Sequence, residues 1–336
     1  MHCSWRGSIG GVAAVALAVF AQTAAVAGPA VNQFETKDLE SAPGDMQFQS
    51  QNAISFGLPK RAIKRTAPGE AAFDDNTVIR ERFALEMQMG ITRWFRTRIG
   101  VEFEKERLED PGSVARANAF EDLHLTGIAL EGVFVIVPVK NEGIGLGLLA
   151  EYDHSVRSGL NQFYIGPIIQ AVSGPWSALA NLLLVQNYGT PDRAHVQPED
   201  RKRDFAYAAQ LQYEISQTWA LALESYGTID RLGRSGTRTP EQALFGDFDQ
   251  HRAGPVVYYR FRPEGGHRAP AARKAGVTAI RTDDDEKPGP AGEDDDKDKA
   301  VSIGVGLLFG LNANTPNQTL KLSLEYNFRS HAIAGF

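Results

Sequence analysis

TLKLSLEYNF, residues 319–328, alternates without a break: Leu320, Leu322, Leu324, Tyr326 and Phe328 share one face, and Lys321, Ser323, Glu325 and Asn327 the other. Alternation of period two marks a strand with one apolar and one polar side. The stretch stops eight residues short of the chain end. So complete a pattern in a last strand suits a sheet that has to close on itself, because in a bilayer every backbone donor and acceptor must be paired within the protein. On that reading the apolar face meets lipid and the polar face an interior.

The same period recurs upstream, and helical three-four spacing is hard to find. RFALEMQMGI sets Phe83, Leu85, Met87, Met89 and Ile91 against Arg82, Glu86 and Gln88, and FRTRIGVEFE sets Phe95, Ile99, Val101 and Phe103 against Arg96, Arg98, Glu102 and Glu104. Similar segments fall at about 44–57, 119–137, 144–154, 161–172, 177–188, 204–215, 219–228, 253–262 and 300–311. With 319–328 these make about twelve strands. Gly166-Pro167 and Gly254-Pro255 lie inside two of them, cost a ladder donor each, and predict bulges or bends.

Connection lengths separate a soluble sandwich from a membrane barrel. Short turns at ITRWF, VKNEG, VSGPW and SQTW alternate with long polar connections such as ERLEDPGSVARANAFED and NYGTPDRAHVQPEDRKRD. Short turns on one rim and long loops on the other belong to an outer-membrane barrel. Trp94, Trp176 and Trp219 each follow a short turn, and with Tyr326 and Phe328 they predict an aromatic girdle at one membrane boundary. The fold expected is all-β: a transmembrane antiparallel up-and-down β-barrel of about twelve strands, in the outer membrane of a Gram-negative bacterium.

The chain start agrees. Arg6, an apolar run from Ile9 to Phe20 and the small residues Ala25-Val26-Ala27 read as a signal peptide over 1–27. Cys3 falls inside it, which leaves a mature chain without cysteine. No later apolar run is long enough for a spanning helix. The expected organisation is then an N-terminal periplasmic segment at 28–43, a barrel at 44–328 and a tail at 329–336. A tail after Tyr-x-Phe departs from the usual end read by barrel-assembly machinery, so either Phe336 is that end or the tail hangs in the periplasm.

Within the barrel lies an insertion at 263–299. Its second half, DDDEKPGPAGEDDDKDK, carries nine acidic residues against three Lys, a balance equal to the net charge of −6 of the whole chain. It is too charged and too rich in Pro and Gly to fold alone. Strand parity puts it on the short-turn rim; a count wrong by one would move it to the other.

The interior face carries the candidate functional residues: Arg80, Arg82, Glu86, Arg96, Arg98, Glu102, Glu104, Glu151, Glu214, Glu224 and Glu325. In the first hairpin, pairing Glu86 with Arg98 also brings Arg82 opposite Glu102 and Arg80 opposite Glu104, with a three-residue turn at 91–93. Such a ladder either braces a narrow lumen or lines a cation-preferring channel. Two functions stay open: a channel or transporter for small solutes, and a closed structural barrel acting through its loops and insertion.

Other chemistry has little support. His154-Ser155 lacks a third, orienting residue at interpretable spacing, and His124, His195 and His251 lack metal-ligand spacing. No enzyme activity, cofactor or metal is expected. The absence of a strongly basic domain argues against nucleic acid. Arg157, Arg193, Arg201, Lys202 and Arg203 fall in expected outer loops, where lipopolysaccharide and lipid are the partners in reach.

HRAGPVVYYRF followed by SIGVGLLFGLNANTPNQTLKLSLEYNF resembles the C-terminal part of the outer-membrane proteins of the meta-pathway phenol-degradation or transporter-like family. The likeness covers about the last 80 residues, interrupted by the acidic insertion. It implies an outer-membrane barrel that takes up small, including aromatic, molecules. No row of inward aromatic or basic residues points to an aromatic acid.

Overall fold

A computed structural model describes residues 34–58, 62–64, 71–73, 77–108, 122–139, 142–156, 159–189, 202–230, 232, 235, 249–261 and 300–329. The expected signal peptide, the acidic insertion and residues 330–336 of the tail lie outside these.

Fourteen strands follow in chain order: β1 (Asp45–Phe56), β2 (Ala62–Lys64), β3 (Ala71–Phe73), β4 (Thr77–Thr92), β5 (Phe95–Leu108), β6 (His124–Val137), β7 (Gly143–Ser155), β8 (Leu160–Ser173), β9 (Trp176–Gly189), β10 (Arg203–Glu214), β11 (Trp219–Ile229), β12 (Gln250–Phe261), β13 (Ala300–Gly310) and β14 (Gln318–Arg329). The short β2 and β3 pair with each other in the connection from β1 to β4; the other twelve form one closed antiparallel barrel. All twelve spans coincide with segments of period-two alternation. β14 closes the ring by pairing along its whole length with β1, from Asp45–Arg329 to Phe56–Gln318. This is what the alternation at 319–328 is for.

The outward face is apolar. Ile99, Leu130 and Leu223 are each more than half exposed, and they belong to a belt that runs through Ile165, Leu184, Val305 and Leu324. Exposed apolar area on that scale is unsustainable in water and natural against lipid. Trp176 and Trp219 open β9 and β11 and pack on Tyr213 and Tyr259, with centroids 4.8 and 4.7 Å apart. Trp94 sits in the β4–β5 turn, one position before the strand it was expected to open, and stacks on Phe134. Tyr326 and Phe328 stack at 5.4 Å near the same rim.

The β4–β5 register differs from the expected one. Arg82 stands opposite Glu104, Arg80 opposite Glu106 and Gln88 opposite Arg98, a slip of two residues. The turn is Arg93-Trp94 alone, and the extra residue, Ile91, is taken up as a bulge between Gly90 and Thr92. This register brings Arg80 to Glu106 at 2.6 Å and Arg82 to Glu104 at 2.7 Å. The chain entering β1 crosses Gly90, whose carbonyl accepts from Gly44 N at 3.0 Å. A Cβ at Gly90 would lie 2.0 Å from Ala42 O. A slip of two keeps every side chain on its face, so the polar ladder still points inward.

The Gly-Pro pairs are close approaches without bulges. The β8–β9 register is the same on both sides of Gly166-Pro167, and the β12–β13 register on both sides of Gly254-Pro255. β12 ends and β13 begins on the short-turn rim.

Candidate functional site: the barrel interior

Residues 34–43 belong to the segment expected in the periplasm, with entry into the lumen as a plug left open; they lie inside the barrel. Ser41 Oγ donates to Thr92 O at 2.5 Å near the short-turn rim. From there the chain climbs to Phe34, whose carbonyl accepts from Tyr226 OH at 2.8 Å. Two apolar anchors hold it. Leu39 packs among Val133, Leu149, Ile168 and Leu183. It comes so close to β7 that a Cβ on Gly147 would lie 2.3 Å from its Cδ2. Phe34 packs higher, with Ala208, Val256 and Leu308, edge-on to Tyr226 and under the Arg252 guanidinium at 4.6 Å.

Between the anchors the wall answers the backbone as a neighbouring strand would. Asn181 accepts from Lys37 N at 2.6 Å and donates to Lys37 O at 2.7 Å, and Gln170 accepts from Leu39 N at 2.9 Å. Buried main-chain groups need such partners. Asn181 interrupts the apolar run ALANLLLV, and Gln170 the run PIIQAV. An inward amide in an apolar strand was the one local sign that something inside required hydrogen bonds.

The charges of the segment meet those of β4–β6. Arg98 Nη1 lies 2.6 Å from Glu35 Oε2 and 2.7 Å from Glu86 Oε2; Lys37 Nζ lies 2.5 Å from Glu35 and 2.9 Å from Glu131. Glu86 reaches Arg98 diagonally, past Gly100. Arg96 bonds the Asp38 carboxylate and donates to Glu40 O at 2.8 Å. Burial opposes ionisation of Glu35, but the Arg98 and Lys37 charges outweigh it and hold its carboxyl well below the usual carboxylate range. For Lys37, burial and the Arg98 charge oppose ionisation, and Glu131, Glu35 and Glu86 outweigh them, so its ammonium is held above the usual lysine value. Ion pairs this buried add little net stability over an apolar core, yet losing one partner costs about 3–5 kcal/mol.

The remaining sequence-proposed residues are dispersed around the wall. Arg80 meets Glu106 at 2.6 Å and Arg82 meets Glu104 at 2.7 Å. Glu102 pairs with Gly127 on β6, and Glu151 stands opposite Glu131. Glu214 is 3.7 Å from Arg260. Glu224 binds Lys321 Nζ at 2.6 Å and accepts from Tyr226 OH and Gln210, with Tyr258 OH also on it. Among the described residues, Glu151 and Glu325 have no cation at ion-pair distance. His154 Nδ1 lies 2.8 Å from Asn161 Oδ1. Lys202, expected on an outer loop, is buried against Asp230 at 2.6 Å and Asp204 at 3.3 Å, since two nearby carboxylates suit its ammonium better than an exposed position.

The interior is therefore lopsided. Along β6–β9 it is filled by the apolar cluster around Leu39. Along β10–β14 and β1 the cluster around Phe34 fills one level, and at another Gln47, Gln49, Gln51, Gln210, Gln212, Ser302, Ser323 and Glu325 line a cavity of about 70 Å³ that remains between this wall and the segment.

No family model matches the chain, and no curated protein matches it. The family named from the C-terminal motifs thus has no sequence match behind it. Among solved structures, the fold is similar to the NanC porin, at 8% identity over 84% of this chain and 100% of that one, with a TM-score of 0.44. It is similar to an outer-membrane channel from Pseudomonas putida F1 at 12% identity, over 88% and 98% of the two chains, with a TM-score of 0.49. For the CymD monoaromatic hydrocarbon channel the values are 9%, 86% and 89%, with a TM-score of 0.35. Likenesses of this size concern the fold alone.

Proposed function

We propose that this protein is an outer-membrane channel for small polar solutes, closed in the described conformation by its own residues 34–43. The carrying observation is the lopsided interior. A barrel built only as a scaffold gains most by packing its whole core, whereas here one wall is kept hydrophilic beside a cavity. The obstruction is a single extended segment clamped by ion pairs and two apolar side chains. Such a segment leaves as a unit. Amide, hydroxyl and carboxylate groups on the open wall favour a polar solute over an aromatic one, and Glu151 and Glu325 without cations favour positive charge.

Single-channel conductance of the refolded protein tests this, with heat-shifted gel mobility to confirm a folded barrel. The whole chain is expected to conduct little and the form lacking residues 34–43 to conduct stably. A folded deletion form that passes no current supports the closed structural barrel instead. In a salt gradient, the reversal potential of the deletion form should fall when Glu102 and Glu151 become Gln. An unchanged potential ends the cation preference.

A further inference from the structure

We propose that the cavity beside the N-terminal segment binds a small organic cation bearing several N–H groups, of the guanidinium or primary ammonium class. This names the solute class of the channel proposed above and rests on that reading for its purpose.

The wall formed by β1 and β14 turns three acceptors to the cavity, the side-chain oxygens of Gln49 and Gln51 and the carboxylate of Glu325. Gln49 and Gln51 line the cavity and are 2% and 4% exposed, and among the described residues the side-chain oxygen of each has no hydrogen-bond partner. The Gln49 amide is oriented by its Nε2, which donates to Glu325 at 3.3 Å and leaves its oxygen as the spare group. Gln47 donates to the other Glu325 oxygen at 3.4 Å. Among the described residues, these two long bonds from neutral amides are all that the Glu325 carboxylate receives. The basic groups on the same cavity have partners elsewhere: Lys321 binds Glu224, Arg98 binds Glu35 and Glu86, and Arg260 lies 3.7 Å from Glu214. A half-buried carboxylate and two buried amide oxygens are costly without partners. A cation with N–H donors supplies what all three lack.

Spacing and size favour a molecular ion over a metal. Gln49 stands opposite Glu325 and Gln51 opposite Ser323 across the closing seam. Residues two apart on a strand are separated by about 6.7 Å, whereas a metal draws its oxygens to within about 2.6 Å. Among the described residues no cluster of His, Cys, Asp and Glu is placed to hold a metal. On the scale where one water takes about 10–15 Å³, the 70 Å³ cavity has room for about five waters, or for a guanidinium ion.

The refolded protein in detergent is titrated calorimetrically with low-millimolar guanidinium, urea and tetramethylammonium chlorides or solutions at constant potassium chloride. Guanidinium is expected to bind. Urea has its shape without its charge, tetramethylammonium its charge without N–H donors, and each should bind at least about tenfold more weakly. Glu325→Gln should weaken guanidinium binding about tenfold, and so should Gln51→Leu, which leaves the carboxylate in place. The proposal is overturned if the folded protein binds no guanidinium, if either control binds equally well, or if both variants keep full affinity. Guanidinium bound by a barrel that conducts in neither whole nor segment-deleted form upholds the site and removes the channel.

Discussion

Arg98 Nη1 lies 2.8 and 2.6 Å from the two carboxylate oxygens of Glu35, tying the segment inside the barrel to the wall around it. The same guanidinium holds Glu86 of the wall at 2.7 Å, so a single side chain serves both strand pairing and closure. Arg98→Met leaves the two carboxylates facing each other without that cation, at a cost of about 3–5 kcal/mol. In a Thr36→Cys background, thiol labelling of the folded barrel should then accelerate by about a hundredfold or more. Equal labelling rates with and without Arg98 would show that the clamp does not hold the segment.

Leu39 is the second fastening. Leu39→Ala empties a site among Val133, Leu149, Ile168 and Leu183, and truncations of this kind cost about 2–5 kcal/mol. Since the barrel strands are untouched, the loss should fall on docking of the segment. Conductance should rise towards that of the deletion form, with unchanged heat-shifted mobility.

Closure depends on pH in a way the charges determine. Glu35 has its pKa depressed in the folded state, so its contribution is present above the ordinary carboxylate value of about 4.3 and is lost as pH falls below it. Lys37 has its pKa raised, so its contribution is full below the ordinary lysine value of about 10.4 and is lost as pH rises beyond. Thiol labelling at position 36, corrected for the pH dependence of a free thiol, should accelerate as pH falls below about 4. Glu35→Gln should weaken the acid branch, with the Lys37–Glu131 pair left to carry the remainder.

Membrane insertion is tested on the outer face. Leu223 is 57% exposed in the middle of β11. Leu223→Arg should destabilise the barrel in lipid vesicles by about 2–4 kcal/mol in a urea titration. A barrel standing in water would tolerate the change to within about 0.5 kcal/mol.

The rim offers a milder test. Trp176 packs on Tyr213 at 4.8 Å while almost half exposed. Loss of an aromatic pair costs about 0.5–1.5 kcal/mol beyond its area. Trp176→Ala should lower stability in vesicles by about that much and leave the conductance of the segment-deleted form unchanged.

Much of this was legible from local patterns. A side chain points to one face of a strand or the other whatever its partner, so period two alone revealed twelve strands, their facing and the two unlike rims. The length of a connection is equally local. Long-range pairing was beyond such patterns. Sliding β4 by two residues against β5 preserves every facing, so alternation could not choose between registers; the pairing that sets Arg80 against Glu106 and Arg82 against Glu104 is seen only in the folded sheet.

The segment 34–43 carries no period at all, because its partners follow the wall and not the segment's own geometry. Lys37 meets Asn181 across 144 positions, Phe34 meets Tyr226 across 192, and Lys321 meets Glu224 across 97. Only closing the ring brings such residues to one place. The chain therefore announces a barrel through its alternation, while what fills the barrel, and what is left open in it, follows from which distant charges and amides the closed sheet sets face to face.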